Sequence, residues 1–110
     1  MVTLTFIAYR KPGLSRPEAL AMVVDAQHTE FTRALPGLRE WAVNPAISPA
    51  ELDWPDWTSE LLFNNAEDAA LCMVSPEMAA GIDDAARFAD STRSYQVVTG
   101  PASIRIFDER

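Results

Sequence analysis

The sequence predicts an α+β protein of the ferredoxin-like βαββαβ type, a four-stranded antiparallel sheet with helices on one face. Three observations carry this reading. Four segments are rich in β-branched and aromatic residues. Helical patterns fall between the first and second of these segments and between the third and fourth. The length of 110 residues suits one domain, residues 1–110, with a core that buries roughly 65% of the unfolded surface.

Val2 to Tyr9 carries no charge, and both of its alternating sets are largely apolar. It reads as a strand covered on both faces. Lys11-Pro12-Gly13 is a turn signal. Ser15 and Glu18 form a capping box with Pro17 in the first turn, so a helix runs from Arg16 to about Ala34. On that helix Leu20, Val24, Phe31 and Leu35 share one stripe, and Pro36-Gly37 ends it. Leu38 to Ile47 is a second strand interrupted by Pro45. Ser48 to Asp56 is a loop with two prolines and three acids, and Trp57 to Phe63 is a third strand. Asn64 or Asn65 caps a helix from Ala66 to about Val74. Ser75-Pro76 starts another that reaches about Asp90, weakened at Gly81. Tyr95 to Phe107 gives a last strand, bulged near Gly100-Pro101.

In this topology the second sheet face has no helix over it. The apolar and aromatic residues of the first and third strands are expected there, and exposed patches of that kind mark interfaces. The expectation is a homodimer in which two sheets pack through their outer faces.

Charge and composition narrow the function. The formal net charge of -7 disfavours nucleic acid, whose phosphates select Lys/Arg surfaces. The single His28 and single Cys72 cannot build a structural zinc site. Asp83, Asp84 and Asp90 read as a solvated acidic face rather than a metal cage. One cysteine allows no internal disulfide and suits a reducing compartment. Without a signal-peptide pattern or an apolar run long enough to span a membrane, the expected location is the cytoplasm. Cys72, among Ala69, Leu71 and Met73, reads as a small buried hydrophobe.

Six short motifs in order resemble the EthD-like family. They are Arg10-Lys11-Pro12-Gly13-Leu14-Ser15; the helix carrying His28, followed by Leu35-Pro36-Gly37-Leu38-Arg39; Ser59-Glu60-Leu61-Leu62-Phe63; Ser75-Pro76-Glu77; and Asp84-Ala85-Ala86-Arg87-Phe88-Ala89-Asp90. The resemblance spans residues 3 to 107. It implies a dimeric α+β barrel and a small protein with no obligatory metal or organic cofactor, so none is expected. Relatives of this architecture include isomerases, cyclases and cofactor-free monooxygenases. Many members carry an aromatic a few residues before the helix histidine. Met22, Val23 and Val24 stand there in this chain, which implies a differently shaped pocket.

His28 is the leading catalytic candidate. With Leu20 at zero it lies near ~80° on the helical wheel, at the edge of the sheet-facing stripe. An imidazole there can reach a helix–sheet cavity, and histidine as a residue type, with an unperturbed pKa of ~6.5, suits general acid–base work. The resemblance adds that His28 matches the family's helix histidine. Glu60, inside an apolar strand, is the expected partner: if it faces the cavity, desolvation favours its neutral form. It also matches the family's strand-three glutamate, and the alternative is a solvent-facing or interface residue. Tyr9, Val24, Phe31, Trp41, Trp57, Phe63 and Phe88 are candidate substrate contacts, with plain packing as the other reading. Tyr9, Tyr95 and Asn44 are possible hydrogen-bond donors, and Trp54 is either a lid or a loop anchor. Arg10, Lys11 and Arg16 are expected to meet acids of a partner subunit. The function expected is cofactor-independent proton transfer (isomerisation, cyclisation or dehydration) on a small hydrophobic aromatic, lactone or polyketide-type molecule. A non-catalytic binding or accessory protein and a cofactor-free monooxygenase are the alternatives.

Overall fold

A computed structural model describes residues 1–107. The element order is β1 (Val2–Ala8), α1 (Arg16–Val23), α2 (Ala26–Arg33), β2 (Glu40–Pro45), β3 (Trp57–Phe63), α3 (Ala66–Met73), α4 (Pro76–Ala85) and β4 (Tyr95–Thr99). The four strands form one antiparallel sheet in the order β2-β3-β1-β4, the ferredoxin-like arrangement. No helix among the described residues is long and apolar enough to cross a membrane.

Both helical halves come in two pieces, and the first break was not expected. The capping box of Ser15 and Glu18 starts α1 as the sequence requires. At Asp25 the backbone turns extended, and its carboxylate accepts the His28 amide at 2.8 Å, which caps a new helix. The stripe drawn through a single helix therefore fails at Val24. That residue is the C-cap of α1 and is 58% exposed, while Ala19 and Val23 are buried instead. Gly37 ends the segment at φ +78°, and the Phe63 ring lies 3.6 Å from where its Cβ would stand.

Other boundaries shorten for equally local reasons. Pro45 closes β2 rather than interrupting it, pairing with Trp57 at the sheet end. The α4 helix stops at Ala85 because the chain then turns to bridge Ala89 to Arg10 and to bond Lys11 and Tyr9. Strand β4 stops at Thr99, not Phe107. Thr99 pairs with Thr3 near the start of β1, so residues beyond it have no strand to join, and Ile104, Ile106 and Phe107 are exposed.

The sheet pleat sorts side chains strictly. Leu4, Phe6 and Ala8 of β1 pair with Leu61, Ser59 and Trp57 of β3 on the helix side. The outer face holds Thr3, Thr5 and Ile7, with Thr58, Glu60 and Leu62 beside them. The aromatics of the third strand, Trp57 and Phe63, thus turn inward, and the outer face is less apolar than expected. The core forms two clusters. One gathers Leu4, Leu35, Leu61, Phe63, Ala69, Cys72 and Met78, and the other gathers Ala8, Ala19, Val23, Trp57 and Phe88.

Arg10 and Arg16 pair within the chain, not across an interface. Both grip the buried Asp56 carboxylate, at 2.6 and 3.0 Å, and their outer nitrogens hold the carbonyls of Ala50 and Ser48. Burial works to raise the Asp56 pKa. The hydrogen bonds from the Arg10 amide and the two guanidinium groups outweigh it, so the pKa ends below the ordinary value. This fastens the loop that enters β3. Asp56→Ala leaves two cations without their shared anion and is expected to cost about 3 kcal/mol. Urea unfolding monitored by Trp fluorescence reads the shift; an unchanged midpoint contradicts the anchoring role.

Candidate functional site

A cavity of about 220 Å³ lies between the two core clusters, over the Phe6–Ser59 rung of the sheet. It exists because Ser59 is small where its strand neighbours are Trp57 and Leu61. The Ser59 hydroxyl accepts the Trp41 indole N–H at 2.8 Å, so even this polar group is spoken for. Phe6, Trp41, Trp57, Leu61, Met78, Ile82 and Phe88 give the walls an apolar, aromatic character. Ser91, Ser94 and Gln96 line the β4 side.

Among the described residues, His28 is the one ionisable group on the wall. Its ring stands edge-on to Phe88, with centroids 4.8 Å apart, and to Trp41 at 6.2 Å. Nδ1 lies 2.9 Å from Oδ2 of Asp84. Asp84 is buried and accepts further bonds from Gln27 at 2.6 Å and from Arg87 at 2.8 and 2.9 Å. Arg87 also reaches the Asp25 carboxylate, at 3.1 Å, and thereby ties α4 to the cap of the histidine helix. The Arg87 hydrogen bonds hold the Asp84 carboxyl well below the usual carboxylate range. Burial opposes them, and His28 and Gln27 add to them. An ionised Asp84 has no proton to give, so it accepts from Nδ1–H. The neutral ring then carries its lone pair on Nε2. That nitrogen has no hydrogen-bond partner among the described residues.

The remaining candidates separate cleanly. Trp41, Trp57 and Phe88 line the cavity with His28. Glu60 does not join them. The pleat puts it opposite Thr5 and Ala42 on the outer face, where it is exposed. Phe63 is wholly buried in the first core cluster, and Val24 is exposed at the helix break. Phe31 packs at the α2–α4 crossing beside Gly81. Tyr9 lies under the Arg93 guanidinium, 3.9 Å from its ring centre, and Arg93 pairs with Asp53. Tyr95 is exposed on the outer face, Asn44 bonds Thr58 there, and Trp54 is exposed off the cavity wall. Cys72 is buried, and burial pushes its thiol pKa up.

Asp84 is the residue that reading the acids as a solvated face misses. Its signal was available: it stands three residues before Arg87 at the end of the helical segment. A depressed folded pKa stabilises the protein fully above the ordinary carboxylate value and loses that contribution as pH falls through the depressed one. The stability gap between wild type and Asp84→Asn should therefore be level above about pH 5 and narrow steadily below about pH 4. Urea denaturation across a pH series measures it, and a gap of constant size down to about pH 2 contradicts the assignment.

No family model matches the sequence, and no curated protein does. Solved structures do match over nearly the whole chain. An EthD family protein of Bacillus halodurans superposes with a TM-score of 0.72 at 24% identity, covering 93% of this chain and 99% of that one. A dimeric protein of unknown function with a ferredoxin-like fold, from Bacteroides fragilis, gives 0.61 at 20% identity, over 89% and 93%. SnoaB of Streptomyces nogalater, a cofactor-independent oxygenase, gives 0.65 at 8% identity, over 96% and 97%. The chain has the ferredoxin-like fold that these proteins share, an EthD family protein among them.

Proposed function

We propose that this protein is a cofactor-independent enzyme that removes an activated proton from a small, planar, apolar substrate, with His28 as the general base. The observation that carries the reading is the His28–Asp84 pair at 2.9 Å, set on the wall of an otherwise uncharged cavity. Asp84 fixes the tautomer, so Nε2 receives the proton. The imidazolium that forms stays paired with the carboxylate, which favours the charge-separated state. The walls are largely apolar and aromatic, and a resulting enolate or phenolate then sits beside a cation in a site poor in competing polar groups. The cavity, about 220 Å³, is smaller than the roughly 300–1,000 Å³ of drug-sized sites, so the reacting part of the substrate is a one- or two-ring system. Isomerisation, cyclisation and dehydration all begin with this proton transfer. The similarity of fold to SnoaB favours a second reading, a monooxygenase in which the same carbanion meets O₂. Oxygen uptake coupled to turnover separates the two.

Hydrogen–deuterium exchange at the acidic carbon of a bicyclic ketone such as 2-tetralone tests the base directly. Wild type should accelerate exchange, and His28→Ala should lose roughly 10²–10⁴-fold of that acceleration. Exchange that persists in His28→Ala removes the histidine from the chemistry.

The reading includes a homodimer joined through the outer sheet faces, in the cytoplasm. Ile7, Leu62, Tyr95 and Val97 lie on that face, with Tyr95 51% and Val97 45% exposed, and the Bacteroides fragilis protein of this fold is described as dimeric. Sedimentation at micromolar concentration is expected to give a species of twice the 12.1 kDa chain mass. A species of single-chain mass rules the dimer out.

A further inference from the structure

We propose that the substrate carries a single carboxylate at the end remote from its reacting carbon, and that Arg33 and Arg39 bind it. This rests on the His28 cavity being the reaction site. A second cavity of about 260 Å³ lies between the end of α2 and the start of β2, lined by Thr29, Arg33, Leu38 and Arg39. It shares Thr32 and Trp41 with the His28 cavity, so the two are neighbours across these residues. On this proposal the ligand's ring rests beside His28 and its tail lies beyond Trp41, between the two arginines.

The charge pattern singles out this groove. In a chain of net charge -7, Arg10 and Arg16 are tied to Asp56, Arg87 to Asp25 and Asp84, and Arg93 to Asp53. Arg33, Arg39, Lys11 and Arg105 have no carboxylate partner among the described residues, and of these only Arg33 and Arg39 line either of the two cavities, both of them the same one. Two negative groups oppose them. Glu40 also borders the groove, but it has the strand phase of Leu62, toward the outer face, whereas Arg39 has the phase of Trp41. The C-terminal end of α2 contributes only about half a negative charge. The arginines retain the excess, and the surplus suits one carboxylate held by guanidinium forks. The apolar cavity selects the ring, and the groove selects the tail and fixes which carbon faces Nε2.

Calorimetric titration with 4-(2-naphthyl)butanoate and with its primary amide tests this. The two probes differ only in charge at the tail. Wild type is expected to bind the carboxylate roughly tenfold more tightly than the amide. The double variant R33Q/R39Q, altered at two exposed positions, should lose that preference and keep its affinity for the amide. Raised salt should shrink the preference in wild type. Equal binding of the two probes, or a preference that survives in the double variant, overturns the proposal while leaving the cavity reading intact. Binding of neither probe overturns both.

Discussion

The carboxylate of Asp84 is the interaction on which the site depends. It is an anion taken out of water, and it survives there because four donor contacts from three side chains surround it. An unpaired buried charge of this kind would cost several kcal/mol, about the scale of a small domain's whole stability. The arrangement therefore holds as a set. Removing Arg87 strands the anion, and removing the anion frees the imidazole to turn. Arg87 extends the network to Asp25, whose other oxygen caps the helix that bears His28. One guanidinium thus fixes both the orientation of the ring and the origin of its helix.

The cavity has a corresponding energetic logic. Most cores of this size fill every rung of the sheet, and here the central rung offers Ser59 to Phe6. The volume left open forgoes packing that would otherwise stabilise the fold. Stability is gathered at the two ends instead, where separate apolar clusters close around Phe63 and around Trp57. Asp56 and its two arginines lock the loop that delivers Trp57 and β3. The molecule is closely packed at both ends and hollow in the middle.

Much of this was legible in the sequence. The alternation of strand and helix patterns, the Ser15–Glu18 capping box and the Ser75-Pro76 restart are local signals, and local signals place elements well. The sequence pointed to His28 as the chain's single histidine, and the structure puts it on the cavity wall, though the continuous helical stripe used to place it is broken at Asp25. Glu60 misled because period-2 alternation fixes which residues share a face but not which face the helices will cover. Phe63 and Phe31 misled for a different reason: aromatic type reports burial and does not distinguish a core from a cavity. Asp84 had a local signal in Arg87, but its pairing with His28 was hidden, as was that of Asp25 with Arg87, because these partners lie far along the chain. Arg87 lies 62 positions from Asp25 and His28 lies 56 from Asp84. No window of local sequence contains such pairs.

The break between α1 and α2 has one more consequence. On a continuous helix, the direction of His28 would inherit every change in length or pitch upstream. Here the Asp25 cap restarts the rotational phase three residues before the histidine. Insertions, deletions or repacking in α1 can move Ala19 and Val23 without rotating the imidazole. The break works as a clutch between the part of the helical layer that answers to the core and the part that carries the cavity histidine.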